Sequence, residues 1–586
     1  MFLKSPRPYI VLMALCVLGL FLYANTLSFP FVQDDVFFIR LNPFIGRWDN
    51  ILDVFLHPAG SLLRGQMCYY RPLLEVFYRL EYHVFGFWPF GFHLVNVTFH
   101  GFVAWLVYVL LRQVRCGGWT AFVLAVIFLV HPLQTEAVAC VSGISNLMVG
   151  VLMLGALIQH IKSRRLGKSY SWLSLFLAAA SFLAKEQGLV LVALVALYEI
   201  LYRKESWVSR FRALFPFGML AGFFLGWRAF LFPGFGSNVL SSGYELWLRF
   251  LSMPRVILTD LRLMVWPADL HYYRSLDILA PSYGTWLLLA GMLILGVVFF
   301  RRISRVRQRT VLFGAGFALI TVLPVLNIFP LINEYSWIMV AEHFLYLPLA
   351  GVLLAAAGFL TGMASKAGQV WRVLITVVLV VILSVLTIRQ NMFWRSEVVL
   401  FERTLAFEPG LGRVELLLAA AYARDRRFQD AASACTRALR IMENYVKRTS
   451  SGMPAQVYYR VFIKNAHHER AFNRLNLGDL GGAREDYEVV LSMTHAGIRS
   501  AVFGGNDSAA ANNLGVLRLQ TGDKAGAAEA FWQALQWDSR AVSAMNNLGL
   551  LALDRQDRVL ARFWFGRAVK IAPGFKQAAD NYMKVK

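Results

Sequence analysis

Through the first two thirds of the chain, apolar residues run in stretches too long and continuous for strands, broken by short polar turns. A helix that crosses a bilayer needs about 20 mostly apolar residues, and shorter runs serve inside a bundle. About eleven stretches fit: 9–27, 92–111, 119–133, 145–161, 170–184, 187–202, 212–231, 284–300, 310–328, 343–361 and 371–388. The first reads as a retained anchor, because its apolar run is long and no small-residue cleavage site follows it. Residues 246–267 are apolar but carry Arg249, Arg255, Asp260 and Arg262. That stretch predicts an amphipathic helix lying in the membrane interface.

After about residue 390 the pattern changes to mixed polar and small-residue periodicity. Asn513, Leu514, Gly515, Asp523, Ala527, Phe531 and Ala534 recur as Asn547, Leu548, Gly549, Asp557, Ala561, Phe565 and Ala568, each pair 34 positions apart. That is the tetratricopeptide period, in which paired helices stack into a solenoid. Looser copies at 427–439 and 479–491 bring the expected number to about four. The fold class is therefore all-α: a polytopic helical bundle over 1–390, with a long first external loop at 28–91, followed by a tetratricopeptide α-solenoid over 391–586. A solenoid of this kind offers a concave surface for an acceptor or partner protein, or it is a plain spacer.

Composition sharpens this picture. Hydrophobic residues make up 58% and charged residues 16% of the chain, where a soluble domain carries roughly 25% charged. The 58 Lys and Arg against 35 Asp and Glu give a net charge of +23. The basic residues cluster in turns between spans: 112–115, 162–168, 203–212 and 301–309. Alternation of the spans puts all of these on one side, which the positive-inside rule makes cytoplasmic. The charge is thus a topological signal and no sign of nucleic-acid binding. The opposite side receives "QDDVFF", "HPLQTEAV", "AKEQG", the 333–343 turn and the repeats. The five cysteines show no CxxC spacing, so neither a zinc site nor a disulfide framework is indicated. Asn96-Val97-Thr98 and Asn506-Asp507-Ser508 match glycosylation acceptors, the first inside a span.

Candidate chemistry gathers on the external side. Asp34 and Asp35 are adjacent like charges, and such a pair raises one pKa toward the range of a general base. They could instead bind a divalent cation or stand in a solvated turn; no cofactor is otherwise indicated. His131 and Glu136 follow the third span, where an ionisable residue is a functional candidate. Lys185 and Glu186 meet between two spans, either as a mutual salt bridge or as a phosphate contact. Arg71, in the first loop, can clamp phosphate bidentately. Glu342 and His343 open a span, where an acid also suits the helix dipole.

"QDDVFF", "YYRPLLEVFYRLEYHVFG", "HLVNVTFHG", "VHPLQTEAVACVSG", "AKEQG", "LPVLNIFP" and "AEHFLYLP" occur in this order, before the repeats. In this the chain resembles the transmembrane and tetratricopeptide-repeat-containing O-mannosyltransferases and their bacterial relatives, polytopic glycosyltransferases of the GT-C type. The resemblance implies a polyprenyl-phosphate sugar donor and transfer of a mannose-like sugar to Ser or Thr hydroxyls of an extracytoplasmic protein. It implies catalysis by the acidic motif of the first external loop, here Asp34 and Asp35; of the two, Asp35, nearer "VFF", is slightly preferred. Glu136 joins them as a catalytic candidate. Arg71, Lys185 and His343 are the donor-phosphate candidates, and His131, Glu186 and Glu342 the remaining ones. Two positions depart from the family pattern. "GISN" at 143–146 lacks the basic and acidic residues usual after the glycine, and His343 stands where arginine is usual. These departures favour an alternative, a non-catalytic membrane-anchored scaffold for envelope assembly. A flippase is disfavoured, because transporter sites lie at mid-membrane. The compact loops favour a bacterial inner membrane with periplasmic repeats; an endoplasmic reticulum membrane with luminal repeats is the alternative.

Overall fold

The stretches that read as spans fold as helices, because a bilayer leaves no partner but the chain itself for each N–H and C=O. The computed structural model describes residues 7–57, 70–232, 243–274, 283–326, 340–360, 367–448, 454–498 and 507–586. Two compact units divide at Phe407 and Glu408, later than the boundary near 390 expected from composition.

In the first unit the helices are α1 (Pro8–Leu22), α2 (Pro72–Phe85), α3 (Pro89–Gln113), α4 (Gly118–Val130), α5 (Thr135–Ala139), α6 (Ile144–Arg165), α7 (Trp172–Ala184) and α8 (Leu191–Tyr202). They continue as α9 (Trp207–Leu231), α10 (Gly243–Val265), α11 (Tyr283–Arg301), α12 (Arg305–Val322), α13 (Tyr346–Leu360), α14 (Ala367–Asn391) and α15 (Glu397–Phe407). Among the described residues, seven helical segments are long and apolar enough to cross a membrane. They are Pro89–Gln113, Val141–Arg165, Trp207–Leu231, Tyr283–Arg301, Arg305–Val325, Glu342–Leu360 and Val373–Trp394. The other four expected spans are the shorter helices α1, α4, α7 and α8. The chain bends by 52° between α4 and Pro132–Ala139, because Pro132 lacks the N–H that would continue the ladder.

Helix α11 buries no residue of its own, and the outer part of α14 is equally bare, with Val373, Ile375, Val377 and Val381 exposed. Apolar surface on that scale is stable only against lipid. The unit is that of an integral membrane protein. Within the bundle, α12 crosses α13 at glycines. A Cβ on Gly314 would lie 2.1 Å from the Ala355 nitrogen, and one on Gly351 2.4 Å from the Ala318 nitrogen. Small residues at such crossings let backbones meet where the hydrophobic effect supplies no drive between helices.

Helix α10 differs from expectation. Arg249 and Asp260 turn inward and are buried, while Trp247, Phe250 and Val265 are exposed. An interfacial helix keeps its charges in water; here Arg249 and Asp260 sit inside the protein, where charge is retained only with partners or a function. Arg255 is half-buried, and Arg262 stays exposed in an ion pair with Asp269 at 2.8 Å.

The second unit continues with α16 (Gly412–Arg424), α17 (Phe428–Arg448), α18 (Pro454–Asn476), α19 (Leu480–His495), α20 (Asp507–Gln520), α21 (Lys524–Trp537), α22 (Val542–Asp554), α23 (Arg558–Ile571) and α24 (Lys576–Val585). Consecutive helices pair, giving four hairpins and a terminal helix among the described residues. The repeat is physical as well as sequential. Asp479, Asp523 and Asp557 each accept an N–H three residues on, from Gly482 (2.9 Å), Gly526 (2.8 Å) and Leu560 (2.9 Å). These are N-caps on the second helix of each pair. A Cβ on Gly515 or Gly549 would come within 2.5 Å of the Phe531 or Phe565 ring respectively, so the aromatic fills the space the glycine leaves.

Candidate active site

Phe31, Val32 and Ile39 are buried and grip the first loop on either side of the acid doublet. Phe31 meets Phe92 of α3 edge-on, centroids 5.3 Å apart. Between these anchors Gln33 adopts a left-handed conformation (φ 58°). Asp34 and Asp35 then lead into a π-helical turn, Val36–Arg40. Left-handed non-glycine residues and π turns both collect at functional sites.

The doublet divides: Asp34 is exposed and Asp35 is fully buried. Asp35 Oδ2 accepts the N–H groups of Val32 and Val141, both at 3.2 Å. Its Oδ1 accepts the Ser142 N–H at 2.6 Å and the Cys140 thiol at 3.3 Å. Burial raises its carboxyl above the ordinary aspartate value, against the lowering effect of the Ser142 and Val32 N–H groups. Four donors therefore converge on the two oxygens of Asp35. Among the described residues no group of three or more His, Cys, Asp or Glu converges as metal ligands would.

The turn that Asp35 grips is also held from the other side. Asn96 of α3 is buried and donates its amide to the carbonyls of Cys140 (2.8 Å) and Val138 (3.2 Å). The apparent glycosylation site is a structural amide; its counterpart at Asn506 lies outside the described residues. Gly143 closes the same turn, and a Cβ there would lie 2.3 Å from the Ala137 oxygen.

Glu136 is 4% exposed and holds His343 twice: Oε1 lies 2.7 Å from Nδ1, and Oε2 accepts the His343 N–H at 2.8 Å. His343 is thus engaged by an acid. His131 does not join Glu136. Its Nδ1 accepts the Leu133 N–H at 3.2 Å, which leaves Nε2 to donate to the Met264 carbonyl at 3.1 Å. That is a structural histidine. Glu342 is buried, 3.8 Å from Arg274, and Arg274 bridges by its own N–H to the Val340 carbonyl.

Lys185 and Glu186 do not pair with each other, as the salt-bridge reading would have them. Glu186 accepts Arg71 Nε at 2.9 Å and the Tyr70 N–H at 3.3 Å, with Arg228 3.9 Å away. Burial works against its ionised form, yet Arg71 and Arg228 bring its carboxyl below the ordinary glutamate value. Lys185 reaches Asn146 Oδ1 instead. Burial first and then the Arg71 charge push the Lys185 ammonium down to about 7, while Glu186 and Glu136 pull the other way. Asn146, in the stretch 143–146 that departs from the family pattern, gives the lysine an uncharged partner.

Tyr272 joins the two groups of residues, and no motif pointed to it. It is buried and accepts the Tyr273 hydroxyl at 2.8 Å. Burial, Tyr273 and the charges of Asp34 and Glu136 all raise its hydroxyl above the ordinary value, so it feels both acids. Tyr272 thus responds to Asp34 and Glu136, as Lys185 responds to Arg71, Glu186 and Glu136. A cavity of about 470 Å³ lined by Arg40, Asn42, Arg47, Tyr82 and Phe87 lies beyond the π turn, and none of the candidate site residues lines it.

No family model matches the chain. Among curated proteins it is similar to a protein O-mannosyl-transferase of Caenorhabditis elegans, 26% identical over 409 residues, 68% of this chain and 58% of that one. It is also similar to human protein O-mannosyl-transferase TMTC4, 27% identical over 461 residues, 66% of this chain and 60% of that one. Against protein O-mannosyl-transferase tmtc2 of Xenopus laevis it is 34% identical over 194 residues, 31% of this chain and 23% of that one. The chain spans 60% or less of the length of each of these relatives. Among solved structures it is similar to YrrB, a TPR protein with an unusual peptide-binding site (14% identical, 31% of this chain and 80% of that one, TM-score 0.24). It is likewise similar to MamA (14% identical, 30% and 80%, TM-score 0.23).

Proposed function

We propose that this membrane protein is an inverting glycosyltransferase that moves a mannose-like sugar from a polyprenyl phosphate to Ser or Thr hydroxyls of an extracytoplasmic protein. Curated relatives that carry the name protein O-mannosyl-transferase support the reaction class. One observation carries the assignment within the site: of two adjacent carboxylates, Asp34 is exposed while Asp35 is wholly occupied in holding the turn. A general base must bring a lone pair within hydrogen-bond reach of the hydroxyl it deprotonates. Asp34 can do this and Asp35 cannot.

The step has three needs. Asp34 takes the proton from the acceptor hydroxyl as the oxygen attacks the anomeric carbon and the phosphate leaves from the opposite face, inverting the centre. The sugar develops oxocarbenium character, as in glycoside hydrolysis. Lys185 and Arg71 face the departing phosphate and disperse its charge in a poorly hydrated site, where such charges act strongly. Glu136 orients His343 rather than touching substrate. The donor's lipid tail lies toward the bilayer, and the repeats offer a concave surface to an acceptor protein. Either a bacterial inner membrane or an endoplasmic reticulum membrane satisfies this arrangement.

The test is transfer of radiolabelled mannose from synthetic polyprenyl-phosphate mannose to Ser/Thr-rich peptides by the purified chain in detergent. Incorporation that is alkali-labile and absent with nucleotide sugar supports the reading; none with any polyprenyl phosphate sugar overturns it. The scaffold reading draws on Ile144, Asn146 and His343, and it requires partner proteins to be lost from the membrane in a deletion strain while glycans stay unchanged.

Lys185 gives the reading a pH signature. Free-enzyme kcat/KM should fall as pH rises through about 7, because the ammonium loses its proton and with it the phosphate contact. Lys185→Arg stays charged, so that limb should move above pH 9 or so. An unchanged limb in Lys185→Arg would remove Lys185 from the phosphate site.

A further inference from the structure

We propose that Glu397, on the first turn of α15, is a positioning residue for Asp34. This rests on Asp34 as the base and names what aims it. Glu397 Oε1 accepts the backbone N–H of Gln33 at 2.9 Å, across 364 positions of sequence. Gln33 immediately precedes Asp34 and is the residue with φ of 58°. A side chain with a Cβ resists that conformation, and such a residue keeps it only when its surroundings over-determine it.

The surroundings do so here. The Gln33 carbonyl accepts the Val36 N–H at 3.1 Å, while its own N–H goes to Glu397. Both backbone groups are therefore assigned, which fixes the dihedrals that point Asp34 outward. The Gln33 side-chain oxygen is buried without a hydrogen-bond partner among the described residues, so that oxygen does not hold the turn. Glu397 sits on a firm base. Trp394, Leu400 and Phe401 are buried around it, and Arg403 donates to the Leu270 carbonyl at 2.9 Å and lies 3.6 Å over the Phe393 ring. Asp35 fixes one side of the turn to residues 140–142, and Glu397 fixes the other to the helix that follows α14. Displacing a reacting group by about 1 Å can cost on the order of a hundredfold in rate.

The experiment compares Glu397→Ala, Glu397→Gln and the double variant Glu397→Ala/Gln33→Gly in the full-length protein. Two readouts are used: mannose transfer from polyprenyl-phosphate mannose and amide hydrogen exchange over residues 30–40. Glu397→Ala should lower kcat about tenfold to a hundredfold with little change in the donor KM, and should speed exchange of the Gln33 amide. Glu397→Gln keeps an oxygen acceptor and should hold kcat well above the alanine variant. Glycine at 33 adopts the left-handed turn without support, so the double variant should recover much of the lost kcat, which a general packing role of Glu397 would not permit. Unchanged exchange and kcat in Glu397→Ala, or a loss that glycine does not relieve, overturns the positioning role. Full transfer by Asp34→Asn instead overturns the base assignment beneath it, so the two failures are distinguishable.

Discussion

Asp34→Asn is expected to abolish mannose transfer while leaving the protein folded. Removing a general base costs about a hundredfold to ten-thousandfold. The amide cannot take the hydroxyl proton, yet it matches the carboxylate in size and strands no buried group at this exposed position. The thermal midpoint in detergent should move by a degree or two at most, since exposed substitutions fall within about 0.5 kcal/mol. The measurement is transfer and melting on the same preparation. An Asp34→Asn protein that still transfers at the wild-type rate sinks the assignment, and with it the division of labour between the two acids.

Asp35→Ala is expected to do the reverse: it breaks the fold around the site first and activity second. The Val32, Val141 and Ser142 N–H groups and the Cys140 thiol all donate to this one carboxylate. Truncation strands these donors in a buried place, at roughly 1–3 kcal/mol for each unsatisfied group. A loss of about 3 kcal/mol or more follows, comparable to breaking a buried charge pair. Asp35→Asn should fall between, because one acceptor is kept and the other becomes a donor facing a donor. The check is the thermal midpoint of the purified variants, with exchange at the Val141 and Ser142 amides as a local readout. If Asp35→Ala melts with the wild type but loses all transfer, then Asp35 acts on substrate and the roles proposed here are exchanged.

The two acids show where sequence reading reached and where it stopped. Their adjacency, their place after a span and the family resemblance of the motifs around them are all legible in the sequence. Which one is buried is not. That depends on the amides of Val141 and Ser142, more than a hundred positions away. The slight preference for Asp35 had no access to that contact. Asn96 makes the same point in reverse. Its local sequence matches a glycosylation signal, whereas its neighbours in space are carbonyls at 138 and 140. Lys185 and Glu186 are adjacent and of opposite charge, so local reasoning left a mutual salt bridge and a phosphate contact both open. The backbone sends them to different partners, Asn146 and Arg71. Glu397 carried no signal at all, lying in an ordinary helix start beyond the last span.

By itself the sequence determined what depends on local composition and period. Apolar length sets where helices can lie in lipid, since each span must satisfy its own backbone. A 34-residue recurrence of small residues, aromatics and capping aspartates sets the solenoid, since each hairpin repeats one set of short-range contacts. Only the tertiary structure decided which charges are buried and hydrogen-bonded within the scaffold and which are exposed. That choice depends on burial and on hydrogen bonds between residues distant in sequence, and neither leaves a periodic mark along the chain.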